Sequence, residues 1–144
     1  MNVKVVTVSP YDSLVKAHEL LRTYEIRHLL VTEDGELKGV ISDRDILKVA
    51  DLDSFGVIQT PRITVEQIMT VAPVTITRDT TVSQMCKLMI EHHIDCLPVM
   101  SGDQLEGLIT SYDLLKLLEE SDQTTKYKDL PLEFTIQGDE HLRA

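Results

Sequence analysis

The chain has 144 residues, of which 42% are hydrophobic and 26% charged, a balance that suits a folded globular protein and excludes a disordered one. Acidic residues number 24 against 14 basic ones, giving a net charge of −10 at pH 7. So acidic a chain is a poor nonspecific binder of nucleic acid or anionic membrane, and with no Trp it lacks platforms on which bases stack.

In chain order, the β-branched run Val5-Val6-Thr7-Val8 predicts a strand. Asp12-Ser13 offers an N-cap before apolar residues at Leu14, Ala17, Leu20, Leu21 and Tyr24, a helical spacing. Residues 28–31 read as a buried strand, Asp34-Gly35 as a tight turn and residues 37–42 as a third strand. Ser42 is placed to cap a helix carrying Ile46, Leu47, Val49 and Ala50. A join with Phe55-Gly56 and Pro61 follows, and Thr64-Val65-Glu66-Gln67 fits the capping box of a short helix ending near Met69. The series then returns. Thr80-Thr81 precedes Val82, Met85, Leu88 and Met89, a strand covers 97–100, and Thr110 caps a helix with Leu114, Leu115, Leu117 and Leu118. The polar tail, residues 121–144, is expected to fray, although Leu130-Pro131-Leu132, Phe134 and Ile136 leave a docking arm open.

That return is an internal repeat. Ile26-Arg27-His28-Leu29-Leu30-Val31 resembles Ile94-Asp95-Cys96-Leu97-Pro98-Val99, an offset of 68 residues. At the same offset Gly39-Val40-Ile41-Ser42 falls on Gly107-Leu108-Ile109-Thr110, and Asp45-Ile46-Leu47-Lys48 on Asp113-Leu114-Leu115-Lys116. The expected fold is α/β of the α+β type, with two β-α-β-β-α units packed as a pseudo-twofold pair. The units span residues 1–50 and 64–120, joined by 51–63. Alone, each unit would bury too little surface to be secure.

No run of apolar residues approaches the roughly 18–20 that a membrane span needs. Met1-Asn2-Val3-Lys4 leads into no apolar core of a signal peptide. Two cysteines, Cys86 and Cys96, make no disulfide framework, so a reducing cytoplasm is the expected compartment. There is no Walker loop and no Gly-x-Gly-x-x-Gly, and His92, His93 and Cys96 lack zinc-finger spacing, so neither an enzyme nor a metal site is expected.

Chemistry concentrates at a strand-to-helix junction that occurs twice, at Gly39 to Asp45 and Gly107 to Asp113. A Gly near a strand end permits close approach of a ligand or another backbone. The Ser42 or Thr110 hydroxyl lies beside free amides at a helix N-terminus, a natural anion site. Asp45 and Asp113, one turn on, could accept hydrogen bonds from a vicinal diol such as a ribose. The same residues could also be plain helix caps. Their repetition favours a site.

Together these junctions, the Leu97-Pro98-Val99 strand and the Ile68-Met69-Thr70 lead-in make residues 1–120 resemble a tandem pair of cystathionine-β-synthase (CBS) domains, the Bateman module. The resemblance implies a regulatory module, not an enzyme, with no required cofactor. It implies binding of AMP, ADP, ATP or S-adenosylmethionine in a cleft between the repeats, a homodimer, and an unknown regulated protein. By position, Asp45 and Asp113 would hold ribose hydroxyls, while Ser42, Thr110, Thr7 and Thr75 would contact ribose or phosphate. Val6, Ile26 and Val40, with Val74, Ile94 and Leu108, would flank the adenine. Basic residues before the Pro-Val strand meet phosphates in such pairs. Here that place holds Arg27 and His28 in one copy but Asp95 and Cys96 in the other, and Arg44 answers to Tyr112. The expectation is that Arg27, His28 and Arg44 serve one phosphate site, while the other is empty or takes a less charged adenosine ligand. The alternative is an interaction or dimerisation module with degenerate pockets. Met1 falls on Met69, so the first copy lacks a lead-in helix, as in a chain that starts abruptly or a piece of a longer one.

Overall fold

A computed structural model describes residues 5–50, 55 and 62–121. The expectations for residues 1–4, for most of the join and for the tail beyond 121 lie outside the described residues. The first half runs β1 (Thr7–Val8), α1 (Leu14–Tyr24), β2 (His28–Glu33), β3 (Glu36–Ser42) and α2 (Asp43–Val49). The second runs α3 (Val65–Ile68), β4 (Thr70–Val71), α4 (Val82–His92), β5 (Cys96–Ser101), β6 (Gln104–Thr110) and α5 (Ser111–Ser121). The offset of 68 carries α1 onto α4, β2 onto β5 and β3 onto β6, residue for residue. Even the register shifts recur, at Val31/Thr32 and Val99/Met100.

Local chemistry sets these boundaries. Ser13 Oγ accepts from the Lys16 amide at 3.2 Å, and Thr81 Oγ1 from the Gln84 amide at 3.1 Å, each satisfying an amide that a helix start leaves unpaired. Both helices end on a left-handed residue, Glu25 and His93, each at φ 54°. The following amides, Ile26 and Ile94, close back onto the Leu21 and Met89 carbonyls. Asp34 and Gly35 both take positive φ, which matches the right-handed twist of the β2–β3 hairpin.

One sheet has the order β1-β2-β3-β4, with β1 parallel to β2 and the other pairs antiparallel; β5 and β6 form the second. The first strand expected in the second copy is reduced to a single parallel bridge, Ile76 to Val99. Proline explains the loss. In the first copy the Leu30 amide donates to the Val6 carbonyl at 3.2 Å, but Pro98 stands in Leu30's place and has no N–H.

Alternation along the strands separates three cores. Leu29, Val31 and Ile41 pack with Leu14, Ala17 and Leu21 of α1 and Ile46 of α2. Leu97, Val99 and Ile109 pack with Met85 and Met89 of α4. Leu30 and Val40 turn the other way and meet Cys96, with Leu105 and Leu108 beside them. The two repeats are therefore sealed sheet against sheet, with helices on the outer faces.

The segment after the join docks on the first repeat. Val65 is fully buried in that repeat's core, its amide donates to the Asp12 carbonyl at 2.8 Å, and β4 extends the sheet at β3. Gly39 makes this possible, because a Cβ there would lie 2.6 Å from the Thr70 carbonyl oxygen. The close approach expected at this glycine is to another backbone.

The last helix of each repeat departs from expectation. Leu47 and Val49 are largely exposed on α2, and α5 buries none of its residues completely. Only Leu114 of its apolar set packs on the second core, leaving Tyr112, Leu115 and Leu118 more than 60% exposed. Gly39→Ala should cost about 1–3 kcal/mol of stability in a urea titration, because backbone must move to admit the methyl. Unchanged stability would mean β4 is free to shift away.

Candidate ligand cleft between the repeats

A cleft of about 540 Å³ opens where the repeats meet. Val6 and Ile26 from the first repeat and Leu108 from β6 supply its apolar surface. Thr110 and Asp113, at the start of α5, supply polar groups, and Glu25, Arg27, His28 and Asp95 add charge and an imidazole. The acid whose neighbouring cations the repeat pattern leaves open is thus Asp113, which shares a cleft with Arg27 and His28.

The other candidate residues lie elsewhere. Arg44 sits at the start of α2 with Ser42 and Asp45, and none of the three lines this cleft. Val40 is buried in the seal between the sheets, and Val74 and Ile94 pack on the second core. Thr7 and Thr75 are exposed and do not line the cleft.

Asp113 and Thr110 are locked together. Asp113 Oδ2 accepts from the Thr110 amide at 2.8 Å and from Thr110 Oγ1 at 3.0 Å. In return the Asp113 amide donates to Thr110 Oγ1 at 3.3 Å, completing a reciprocal cap. The Ser111 amide donates to the Asp95 carbonyl at 2.8 Å. Three amides at this helix start are therefore engaged, and of the free amides expected of an anion site only that of Tyr112 is left among the described residues. The α2 junction repeats the pattern. Asp45 Oδ2 accepts from the Ser42 amide at 3.0 Å, Ser42 Oγ from the Asp45 amide at 3.1 Å, and the Arg27 carbonyl from the Asp43 amide at 3.0 Å. What remains open is Asp113 Oδ1, an acceptor held in a fixed direction and unpartnered among the described residues.

Two charged residues of the cleft, Glu25 and Asp95, were not among the candidates from sequence. Asp95 Oδ1 lies 2.8 Å from His28 Nε2, joining the repeats. A carboxylate only accepts, so Nε2 carries the proton of this bond. The signal in the sequence is the offset itself, which sets Asp95 against Arg27 at the same point of the repeat.

The ligand atoms of His28, Asp95 and Cys96 lie within 4.8 Å of one another, the spacing of a possible metal centre. The thiol of this group is held in its protonated form in the metal-free protein. Burial first, then the charges of Asp95 and Asp45, push the Cys96 thiol up to about 12. A nucleophilic thiolate is therefore scarce at neutral pH. In a Cys86→Ser variant, Cys96 should resist a disulfide reagent at pH 8 until the protein unfolds. Native-state reaction at the rate of a free thiol would contradict this environment.

The CBS domain family model matches residues 1–51 and 65–120. The chain belongs to the CBS-domain family. The CBS domain-containing protein YhcV of Bacillus subtilis is 31% identical over 115 residues, covering 79% of each chain. Inosine-5'-monophosphate dehydrogenase of Staphylococcus saprophyticus is 34% identical over 115 residues, but these span 78% of this chain and only 22% of the dehydrogenase. Among solved structures, CBSX2 in complex with AMP matches with a TM-score of 0.66 and 26% identity, over 81% of this chain and 88% of that one. The CBS domain pair of protein MJ0100, in complex with 5'-methylthioadenosine and S-adenosylmethionine, matches with a TM-score of 0.69 and 27% identity, over 81% and 93%. In this CBS pair, both copies of the family motif stand at the strand-to-helix junctions, and one of the two junctions opens onto the cleft.

Proposed function

We propose that this CBS pair is a regulatory module that binds an adenosine-containing ligand in the cleft between its repeats and modulates a partner protein. The observation that carries this reading is the composite cleft, with apolar surface from both repeats and the motif carboxylate Asp113 among its polar groups. Adenine would lie against Val6, Ile26 and Leu108, the apolar residues of the cleft. A ribose hydroxyl would donate to Asp113 Oδ1, since Oδ2 already serves the helix cap. The complexes of CBSX2 with AMP, and of MJ0100 with S-adenosylmethionine and 5'-methylthioadenosine, support the ligand class. A ligand touching both repeats biases their relative orientation when its contacts differ between two arrangements, and that bias is the signal a partner reads.

Thermal unfolding with AMP, ADP, ATP, S-adenosylmethionine and a guanine nucleotide tests the reading. At a hundredfold excess over its dissociation constant, a ligand adds about 2.7 kcal/mol, several degrees in midpoint for a chain of this size. A shift with adenosine compounds and none with guanine supports the sensor, and no shift with any removes it. Asp113→Asn keeps an oxygen for the Thr110 cap but replaces the free acceptor with a donor. It should lose roughly 1.5–3 kcal/mol of ligand binding, about ten- to a hundredfold in affinity. Wild-type affinity in this variant would take Asp113 out of the site.

A second reading, a homodimerisation or docking module, rests on the exposed Tyr112, Leu115 and Leu118 of α5. Sedimentation that shows a dimer, together with no ligand shift, would favour it.

A further inference from the structure

We propose that Asp95 sets the ligand class of the cleft, selecting adenosine compounds that carry little negative charge and rejecting ADP and ATP. This rests on the reading of the cleft as an adenosine site. Three observations lead to it. First, the cleft is lined by three carboxylates, Glu25, Asp95 and Asp113, against one guanidinium, Arg27. A polyphosphate entering it meets net negative charge, in a chain already at −10. Second, the helix start that would otherwise receive a phosphate is largely engaged, with only the Tyr112 amide of its first turn left over among the described residues. The Thr110, Ser111 and Asp113 amides are engaged by Asp113 Oδ2, the Asp95 carbonyl and Thr110 Oγ1. Asp95 thus takes part at the helix start through its backbone carbonyl.

Third, Asp95 holds the group best suited to meet a phosphate. His28 has only 9% of its side chain exposed, and its Nε2 proton points to Asp95 Oδ1 at 2.8 Å. Asp95 itself is 57% exposed, so its charge faces whatever occupies the cleft. Position 95 corresponds to Arg27 in the first repeat, so the sign of the charge is reversed between the two copies at this point. A neutral nucleoside or a sulfonium cation meets no repulsion here, AMP meets some, and ATP the most. Arg27 has no ion pair among the described residues and remains to hold a single anionic group.

Titration calorimetry on the full chain tests the proposal with adenosine, S-adenosylmethionine, AMP and ATP, with and without Mg²⁺, at low and high salt. The expected order places adenosine or S-adenosylmethionine ahead of ATP, with the gap widest at low salt because screening relieves the repulsion. Asp95→Asn removes the charge while keeping the shape and an oxygen for His28. It should tighten ATP roughly three- to thirtyfold and leave adenosine within about twofold. ATP binding as tightly as adenosine in the wild type overturns the proposal. So does an Asp95→Asn variant that changes both ligands by the same factor. Binding by no adenosine compound at all overturns the adenosine reading of the cleft and this proposal with it. Asn keeps an acceptor for His28, so the variant should still unfold in one cooperative transition without ligand.

Discussion

The contact between the two sheets governs everything else in this molecule. Leu30 and Val40 of the first repeat meet Cys96 of the second, and each is nearly or fully buried there. A fully buried leucine contributes roughly 1.5–3 kcal/mol, so a handful of such side chains is a large share of the stability of a small domain. The cleft exists only because this seal holds, since Val6 and Ile26 come from one repeat and Thr110 and Asp113 from the other. Cys96 shows how the seal and the cleft are connected. Its thiol is in the seal, while its neighbour Asp95 reaches the cleft and bonds His28. A change in how the sheets sit on each other must therefore move the charged groups of the cleft, which is the coupling a ligand-sensing module requires.

The helix starts illustrate how one motif serves two ends. Asp113 and Asp45 each close a reciprocal cap with the Thr or Ser three residues before them. The cap fixes the carboxylate, and fixing it is what makes its free oxygen useful to a ligand. For Asp113 the plain structural role and the proposed binding role are compatible, because the first would position the group for the second. The same bonds consume most of the amides that an anion would use, so a strong cap and a strong phosphate site compete for donors.

Much of the fold was legible because duplication makes each segment a control for the other. The capped helices, the hairpin at Asp34-Gly35 and the short helix after the join follow from local residue chemistry, and the structure has all of them. Three features were not legible. Loss of the second copy's first strand comes from the missing N–H of Pro98, which matters only once pairing with a parallel neighbour is known. The exposure of Leu115 and Leu118 on α5 depends on which elements are there to cover them, which helical spacing does not encode. Finally, the cleft joins Arg27 and His28 to Asp113, not to Asp45, the acid of their own repeat, and only packing of the two units decides that. The repeat pattern singled out Val6, Ile26, Arg27, His28, Leu108, Thr110 and Asp113 among the cleft's residues, but Glu25, Asp95 and Tyr112, and the pairing across the repeats, depend on packing.

The most direct test of a ligand held jointly by the two repeats is the pattern of backbone amide shifts when adenosine is titrated into the labelled protein. Joint binding predicts that the amides of Val6 and Ile26 in one repeat and of Leu108, Thr110 and Asp113 in the other move along one saturation curve. Shifts confined to a single repeat, or on curves of different midpoint, would contradict a shared cleft.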